Sequence, residues 1–156
     1  LGSKTLGSNN FIPSIDFISE IYVYKPEDMV LLGKLFAEIL TDDEVVSLEG
    51  DLGSGKTTFV KGVGKALNVD SEIISPTFVI LKDYSGEKSL YHFDFYRLSE
   101  DTQLLDIGFF DIIDFNGVKF IEWGNKFNTI KKYFDYVIRF EIVSEYLRIV
   151  RIYKTN

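Results

Sequence analysis

An α/β fold, with a mainly parallel sheet extended by antiparallel hairpins and covered by helices on both faces, is predicted by three observations. A short apolar run, Val45-Val46-Ser47-Leu48, leads into a glycine-rich turn and then an amphipathic helix, the order of a parallel strand–loop–helix unit. Two pairs of alternating runs, 78–84 with 89–96 and 136–142 with 146–153, are each separated by a few turn residues, which marks hairpins. A further apolar run, Val118-Lys119-Phe120-Ile121, stops at Glu122-Trp123 and reads as another central strand.

The elements follow in chain order. Residues 1–10 are polar, Gly/Ser-rich and aperiodic, so they are expected to be a disordered leader or a cloning remnant, with one domain over 11–156. Residues 17–24 read as a strand. Pro26 suits the first helical position, and Glu27 and Asp28 favour the positive end of the dipole. Met29, Leu32, Phe36 and Ile39 then recur at helical spacing. In the next helix Phe59, Val60, Val63, Ala66 and Leu67 form the apolar face, and Asn68 is placed to cap its end. Gly62 and Gly64 weaken that helix by about 1 kcal/mol each relative to Ala, which close packing against the sheet would explain. Ser85-Gly86-Glu87-Lys88 is the turn of the first hairpin, and 100–107 is a short helix opened by Ser99 and closed by Gly108.

A chain of 156 residues can bury roughly 70% of its unfolded surface and so supports one core. Hydrophobic residues make up 46% and aromatics 15%, a globular composition. The most apolar helical stretch, 29–40, is interrupted by Lys34 and Glu38, so no membrane span and no membrane partner are expected. No secretory pattern is present, and the absence of cysteine removes disulfides, thiolate metal sites and cysteine nucleophiles. The expected location is the cytoplasm. A net charge of −7 argues against independent strong binding of nucleic acid, which needs a basic stripe.

The glycine-rich turn, Gly50-Asp51-Leu52-Gly53-Ser54-Gly55-Lys56-Thr57-Thr58, satisfies G-x-x-x-x-G-K-[ST] and makes the expected fold P-loop NTPase-like, a mixed, mainly parallel sheet. Its glycines allow successive N–H groups to converge as an anion nest, and the helix that follows adds unpaired donors and its positive dipole end. The backbone of Asp51, Leu52, Gly53, Ser54 and Gly55, with Thr58, is therefore expected to cradle phosphate. Lys56 would reach the β- and γ-phosphates, and the Thr57 hydroxyl would ligate Mg²⁺. ATP with Mg²⁺ is the expected cofactor pair.

A hard cation wants carboxylate oxygens. Glu122 closes an apolar strand, where ligands bind in open α/β sheets, and is the candidate metal carboxylate. Asp94 lies in Tyr91-His92-Phe93-Asp94-Phe95-Tyr96-Arg97, whose alternation sets three aromatics on one face and His92, Asp94 and Tyr96 on the other. Asp94 is a candidate catalytic acid, a structural pair with Arg97 or Lys82 being its alternative; either Asp94 or Glu122 could orient the attacking water. Thr77, in Ser75-Pro76-Thr77-Phe78, stands where switch loops sense a γ-phosphate. His92, the single histidine, reads as a packed strand residue sooner than a base. Asn125-Lys126-Phe127-Asn128 resembles a guanine-reading motif, but Asn128 lacks the carboxylate needed to accept from the guanine N1 and N2 protons, which favours ATP over GTP.

These pieces, in the order P-loop, Ser75-Pro76-Thr77-Phe78, Tyr91 through Leu98, and Ile121-Glu122-Trp123, resemble the bacterial TsaE (YjeE) ATPases of tRNA threonylcarbamoyladenosine biosynthesis. The resemblance runs from about Phe17 to the C-terminus; Gly124 stands where the family often has Pro. It implies an ATPase, weak alone, that joins a TsaB–TsaD heterodimer and uses ATP to support modification of position 37 in tRNAs reading ANN codons. Contact with tRNA would run through the complex. It also implies that Thr57 and Glu122 hold Mg²⁺, that Lys56 contacts phosphate, that Asp94 is needed for hydrolysis, and that Trp123 lies beside the site with Tyr24 near the base. Two alternatives remain: a small-molecule kinase, which needs arginines in a lid, and a nucleotide-gated protein-binding module whose hydrolysis is incidental.

Overall fold

The computed structural model describes residues 14–156; the expected leader, and residues 11–13 assigned to the domain, lie outside the described residues. The elements are β1 (Ile15–Val23), α1 (Pro26–Ala37), β2 (Val45–Glu49), α2 (Lys56–Ala66), β3 (Leu81–Tyr84), β4 (Leu90–Asp94), α3 (Asp101–Asp106), α4 (Phe109–Ile112), β5 (Val118–Glu122), β6 (Tyr136–Ser144) and β7 (Leu147–Thr155). Two 3₁₀ turns, Gly124–Lys126 and Asn128–Tyr133, link β5 to β6. All seven strands form one sheet in the order β1-β7-β6-β2-β5-β4-β3. The four inner strands β6, β2, β5 and β4 run parallel, and β3, β7 and β1 add antiparallel edges.

Each sheet face carries its own core, because alternate residues of a strand point to opposite sides. On one face α1 and α2 bury Phe36 and Phe59 against Val46, Leu48, Phe120 and Ile138. Phe36 and Phe59 are 5.5 Å apart at their ring centroids, and edge contacts extend to Tyr136 at 5.4 Å and Phe140 at 5.6 Å. On the other face α3, α4 and the 3₁₀ turns pack Leu104, Phe109, Phe127 and Ile130 against Phe93, Phe95 and Ile121. The alternation expected for 91–96 holds: Phe93 and Phe95 enter the second core, while His92 and Asp94 point to the α2 side with Leu90. Asp94 at the end of β4, and Glu122 beside it at the end of β5, therefore face the N-terminus of α2.

The structure corrects several expectations. Residues 78–80 are not strand: Val79 and Ile80 donate to the Pro76 carbonyl at 3.1 and 2.6 Å, a local turn that outcompetes the ladder. Phe78 is thereby left 80% exposed, and β4 ends at Asp94, short of Tyr96. The cap of α3 is Glu100, not Ser99: Gln103 accepts from both the Ser99 and Glu100 N–H groups in a capping box. The helix α4, which starts from Gly108 at φ 74°, was not anticipated. Ile39 falls beyond α1 and is exposed. Asn68 does end α2, as the left-handed residue at φ 54°.

Gly62 and Gly64 do not pack against the sheet. A Cβ on Gly62 would collide with the Val30 carbonyl and lie 3.0 Å from the Gly33 Cα, so α1 and α2 cross glycine against glycine. A Cβ on Gly64 would strike Ile73. The close crossing holds α1 over the start of α2, where Met29 fills the space beside Gly55; a Cβ there would stand 2.6 Å from the Met29 Cε. Gly62→Ala is expected to destabilise the fold by about 3 kcal/mol, since the clash is with backbone and cannot relax by a side-chain rotation. Gly108→Ala, with nothing within 4 Å, should cost only about 1–2 kcal/mol for its left-handed backbone. Urea midpoints of the two variants measure the difference.

Candidate functional site

The turn between β2 and α2 has the backbone that its sequence demands. Gly53 and Gly55 take φ of 78° and 108°, conformations that residues with a Cβ rarely adopt. The Ser54 N–H donates to the Asp51 carbonyl at 3.2 Å, and the first full turn of α2 closes with Phe59 N–H on Gly55 O at 2.9 Å. Thr57 and Thr58, within that first turn, retain N–H groups without a backbone acceptor at the positive end of the helix. Asp51 contributes its carbonyl and its charge, while its side chain is exposed.

The turn opens on a cavity of about 250 Å³. Its walls bring together Leu52, Gly53, Ser54, Gly55, Lys56, Thr57 and Thr58 with Thr77, Asp94, Glu122 and Trp123, so every proposed site residue except Asp51 meets at one place. The parallel pairing of β4 with β5 sets Asp94 directly beside Glu122. Both are 4% exposed. Two carboxylates so placed repel unless donors or cations stand between them.

Those donors are present. The Thr57 hydroxyl donates to Glu122 Oε2 at 3.3 Å, and His92 Nε2 approaches the same oxygen at 2.7 Å. Asp94 accepts from the Thr77 hydroxyl at 2.7 Å and from the Tyr96 N–H at 2.9 Å. It pairs with neither Arg97 nor Lys82; the Arg97 guanidinium instead stacks 4.4 Å over the Phe78 ring. Ser75 and Thr77 hydroxyls lie 2.8 Å apart, so a chain of hydroxyls runs from the 75–80 loop to the Asp94 carboxylate. The loop is tied down under tension: Ile80, β-branched, sits at φ 69°.

Lys56 is 5% exposed, donates to the Gly50 carbonyl, and has its ammonium 4.1 Å over the Trp123 ring. Burial pushes its pKa below the ordinary lysine value, against the pull of Glu122, Asp94 and Asp51. Trp123 itself takes φ 64° and rests against Tyr96 at 5.3 Å. Gly124 follows because a Cβ would lie 2.7 Å from Ile121 Cγ2.

A second cavity of about 160 Å³ lies across the glycine-rich turn. Tyr24, Met29 and Pro26 form one wall, and Tyr146 and Arg148 from the β6–β7 hairpin form the other. Arg148 reaches the Gly53 carbonyl at 3.4 Å. Only Tyr24 of this group was anticipated, because nothing local in the sequence links 146–148 to a turn almost a hundred positions earlier. Lys126, from the guanine-like motif, caps the carbonyls of Phe95, Tyr96 and Leu98 at 3.0, 2.9 and 2.5 Å and takes no part in either cavity.

The donor set fits a hard cation only together with phosphate. Thr57 and Glu122 supply hydroxyl and carboxylate oxygens, while no group of three or more metal-ligating His, Cys, Asp or Glu side chains occurs among the described residues. No helix among the described residues is long and apolar enough to cross a membrane.

Comparison with known proteins bears on the same residues. A family profile described as "Threonylcarbamoyl adenosine biosynthesis protein TsaE" matches residues 23–150. The protein named tRNA threonylcarbamoyladenosine biosynthesis protein TsaE from Nostoc sp. is 41% identical over 117 residues, 72% of either chain. Its namesake from Aquifex aeolicus is 35% identical over 145 residues, 90% of this chain and 99% of its own. The crystal structure of Bacillus subtilis YdiB superposes with a TM-score of 0.74 at 26% identity, over 92% of this chain and 88% of that one.

Lys56→Met is expected to raise the thermal unfolding temperature of the nucleotide-free protein, because it removes a cation whose charged form is disfavoured by burial. The folded state holds the Lys56 proton less tightly than the unfolded state, so the wild type gains stability as pH rises towards the lysine range. The gap between the two should therefore narrow from neutral pH to about pH 10, as scanning calorimetry would record.

Proposed function

The chain belongs to the TsaE family, and we propose that it is a P-loop ATPase that binds ATP with Mg²⁺ and acts with a TsaB–TsaD heterodimer in forming threonylcarbamoyladenosine on tRNA. The observation that carries the ATPase reading is the convergence of Lys56, Thr57 and the adjacent carboxylates Asp94 and Glu122 on one cavity beside the glycine turn. The triphosphate lies against the N–H groups of residues 53–58, with Lys56 exchanging the Gly50 carbonyl for phosphate oxygen. The base occupies the cavity beside Tyr24.

The two acids divide the work by their neighbours. Glu122, sharing an oxygen with the Thr57 hydroxyl, is the carboxylate on the Mg²⁺ side. The cation, when bound, neutralises charge that develops on the phosphates. Asp94 faces the 75–80 loop through Thr77 and orients the attacking water. The same hydrogen bond gives the loop a means to register loss of the γ-phosphate, since a Thr77 hydroxyl turned to phosphate cannot also donate to Asp94. The exposed Phe78 and its Arg97 partner carry that change to the partner surface. Binding to tRNA is indirect, in keeping with the net charge of −7.

The kinase alternative loses support from the arginines. Arg97 covers Phe78, Arg139 pairs with Glu49 and Arg151 pairs with Glu20 and Glu141, so none of these three lines the phosphate cavity; nor does Arg148, which caps the β6–β7 hairpin.

ADP release measured alone and with TsaB–TsaD is expected to rise many-fold with the heterodimer, and a small-molecule acceptor that alone produced the rise would favour a kinase. Lys56→Ala should abolish ATP affinity in calorimetry; full retention would contradict the role given to that lysine. Asp94→Asn should keep ATP binding and lower turnover by roughly 10²-fold or more. If that variant still supported modification in cells, hydrolysis would be incidental and the gated-module reading would stand.

A further inference from the structure

His92 is a buried titratable side chain at the site that the proposed chemistry does not use. It is 0% exposed, its Nε2 lies 2.7 Å from Glu122 Oε2, and its Nδ1 is buried without a partner among the described residues. A histidine that only filled space would be replaced at lower cost by an apolar residue, because the unpartnered Nδ1 is a desolvation penalty with no return. Its single interaction is with the carboxylate that faces the phosphate cavity.

The strand register explains why that carboxylate needs support. Glu122 pairs with Asp94 and His92 pairs with Phe120, so His92 reaches diagonally across β4 and β5 to the acid one pair further on. Repulsion from Asp94 would rotate the Glu122 carboxylate away. Two donors on Oε2, the Thr57 hydroxyl and the His92 Nε2–H, hold it, while Oε1 has no hydrogen-bond partner among the described residues. We infer that His92 is a positioning residue that fixes the rotation of Glu122 and leaves Oε1 free for the cation that accompanies the nucleotide. The inference rests on the reading of Glu122 as the carboxylate on the cation side. It adds that the imidazole acts only through Glu122 and touches neither phosphate nor metal.

The test uses the full chain, ADP and Mn²⁺, with electron paramagnetic resonance reporting Mn²⁺ bound in the ADP complex and calorimetry reporting ADP affinity in EDTA. His92→Leu is expected to weaken Mn²⁺ by about 10-fold or more while changing ADP affinity in EDTA by less than about twofold, and His92→Gln, which can again donate to Oε2, should recover most of the loss. Unchanged Mn²⁺ affinity in His92→Leu overturns the inference. So does an equal loss of ADP affinity in EDTA for both variants, which would mark a packing role. Glu122→Gln separates the two levels: if it also leaves Mn²⁺ affinity unchanged, the assignment of Glu122 has failed, whereas if it weakens Mn²⁺ and His92→Leu does not, only the role of His92 has. If His92→Leu does not fold, the wild type still decides, because its single histidine makes the ring ¹⁵N signals readable without assignment. The Nε2 resonance should shift when Mg²⁺ is added to the ADP complex and not when ADP is added in EDTA, and a ring signal indifferent to Mg²⁺ overturns the inference.

Discussion

Two nearly buried carboxylates held side by side at the ends of parallel strands are the constraint on which this architecture turns. Asp94 and Glu122 are paired by the β4–β5 register, and like charges so close are tolerated only where donors or cations meet them. Lys56, Thr57, Thr77, His92 and the Tyr96 N–H all converge there, from three separate segments of chain. Each of them is itself costly to bury without the acids. The site is thus a set of mutually dependent polar groups.

Strain is concentrated around the same place. Gly53, Gly55, Ile80 and Trp123 all take positive φ, and each borders the cavity or the loop latched to it. The surroundings hold them: the glycine-to-glycine crossing of α1 and α2 and the Met29 side chain support the turn from behind, and the Phe93–Phe95–Phe109 cluster anchors β4 from the opposite face. A rigid two-cored sheet therefore carries one strained end. The 75–80 loop, with Phe78 in solvent and Thr77 bonded to Asp94, belongs to that end.

Much of this was legible before the structure. The strand–turn–helix of the P-loop, the alternation that turns Asp94 away from its aromatic neighbours, and the placement of Glu122 at a strand end all follow from spacing over ten residues or fewer. The misreadings have two sources. Residues 78–80 have the composition of a strand, yet the Pro76 carbonyl and the Thr77–Asp94 bond fold them into a turn. Gly62 looked like a concession to the sheet and is a concession to α1. His92 is the packed strand residue it was read as, and its Nε2 lies against Glu122. For Gly62 the deciding partner is a different helix, whereas for 78–80 it is a local turn that alternation of residue types does not reveal.

By itself the sequence determined that a glycine-rich turn with a lysine and helix-end donors sits at the junction of β2 and α2, because glycine conformations, helix-end donors and the reach of a lysine are local properties. Only the tertiary structure decided which acid stands by which hydroxyl, that Arg148 and Tyr146 close the neighbouring cavity, and that a buried imidazole lies against Glu122. Strand order and register are settled by how two opposite faces pack at once, and that balance is summed over the whole sheet and cannot be read from any one segment of it.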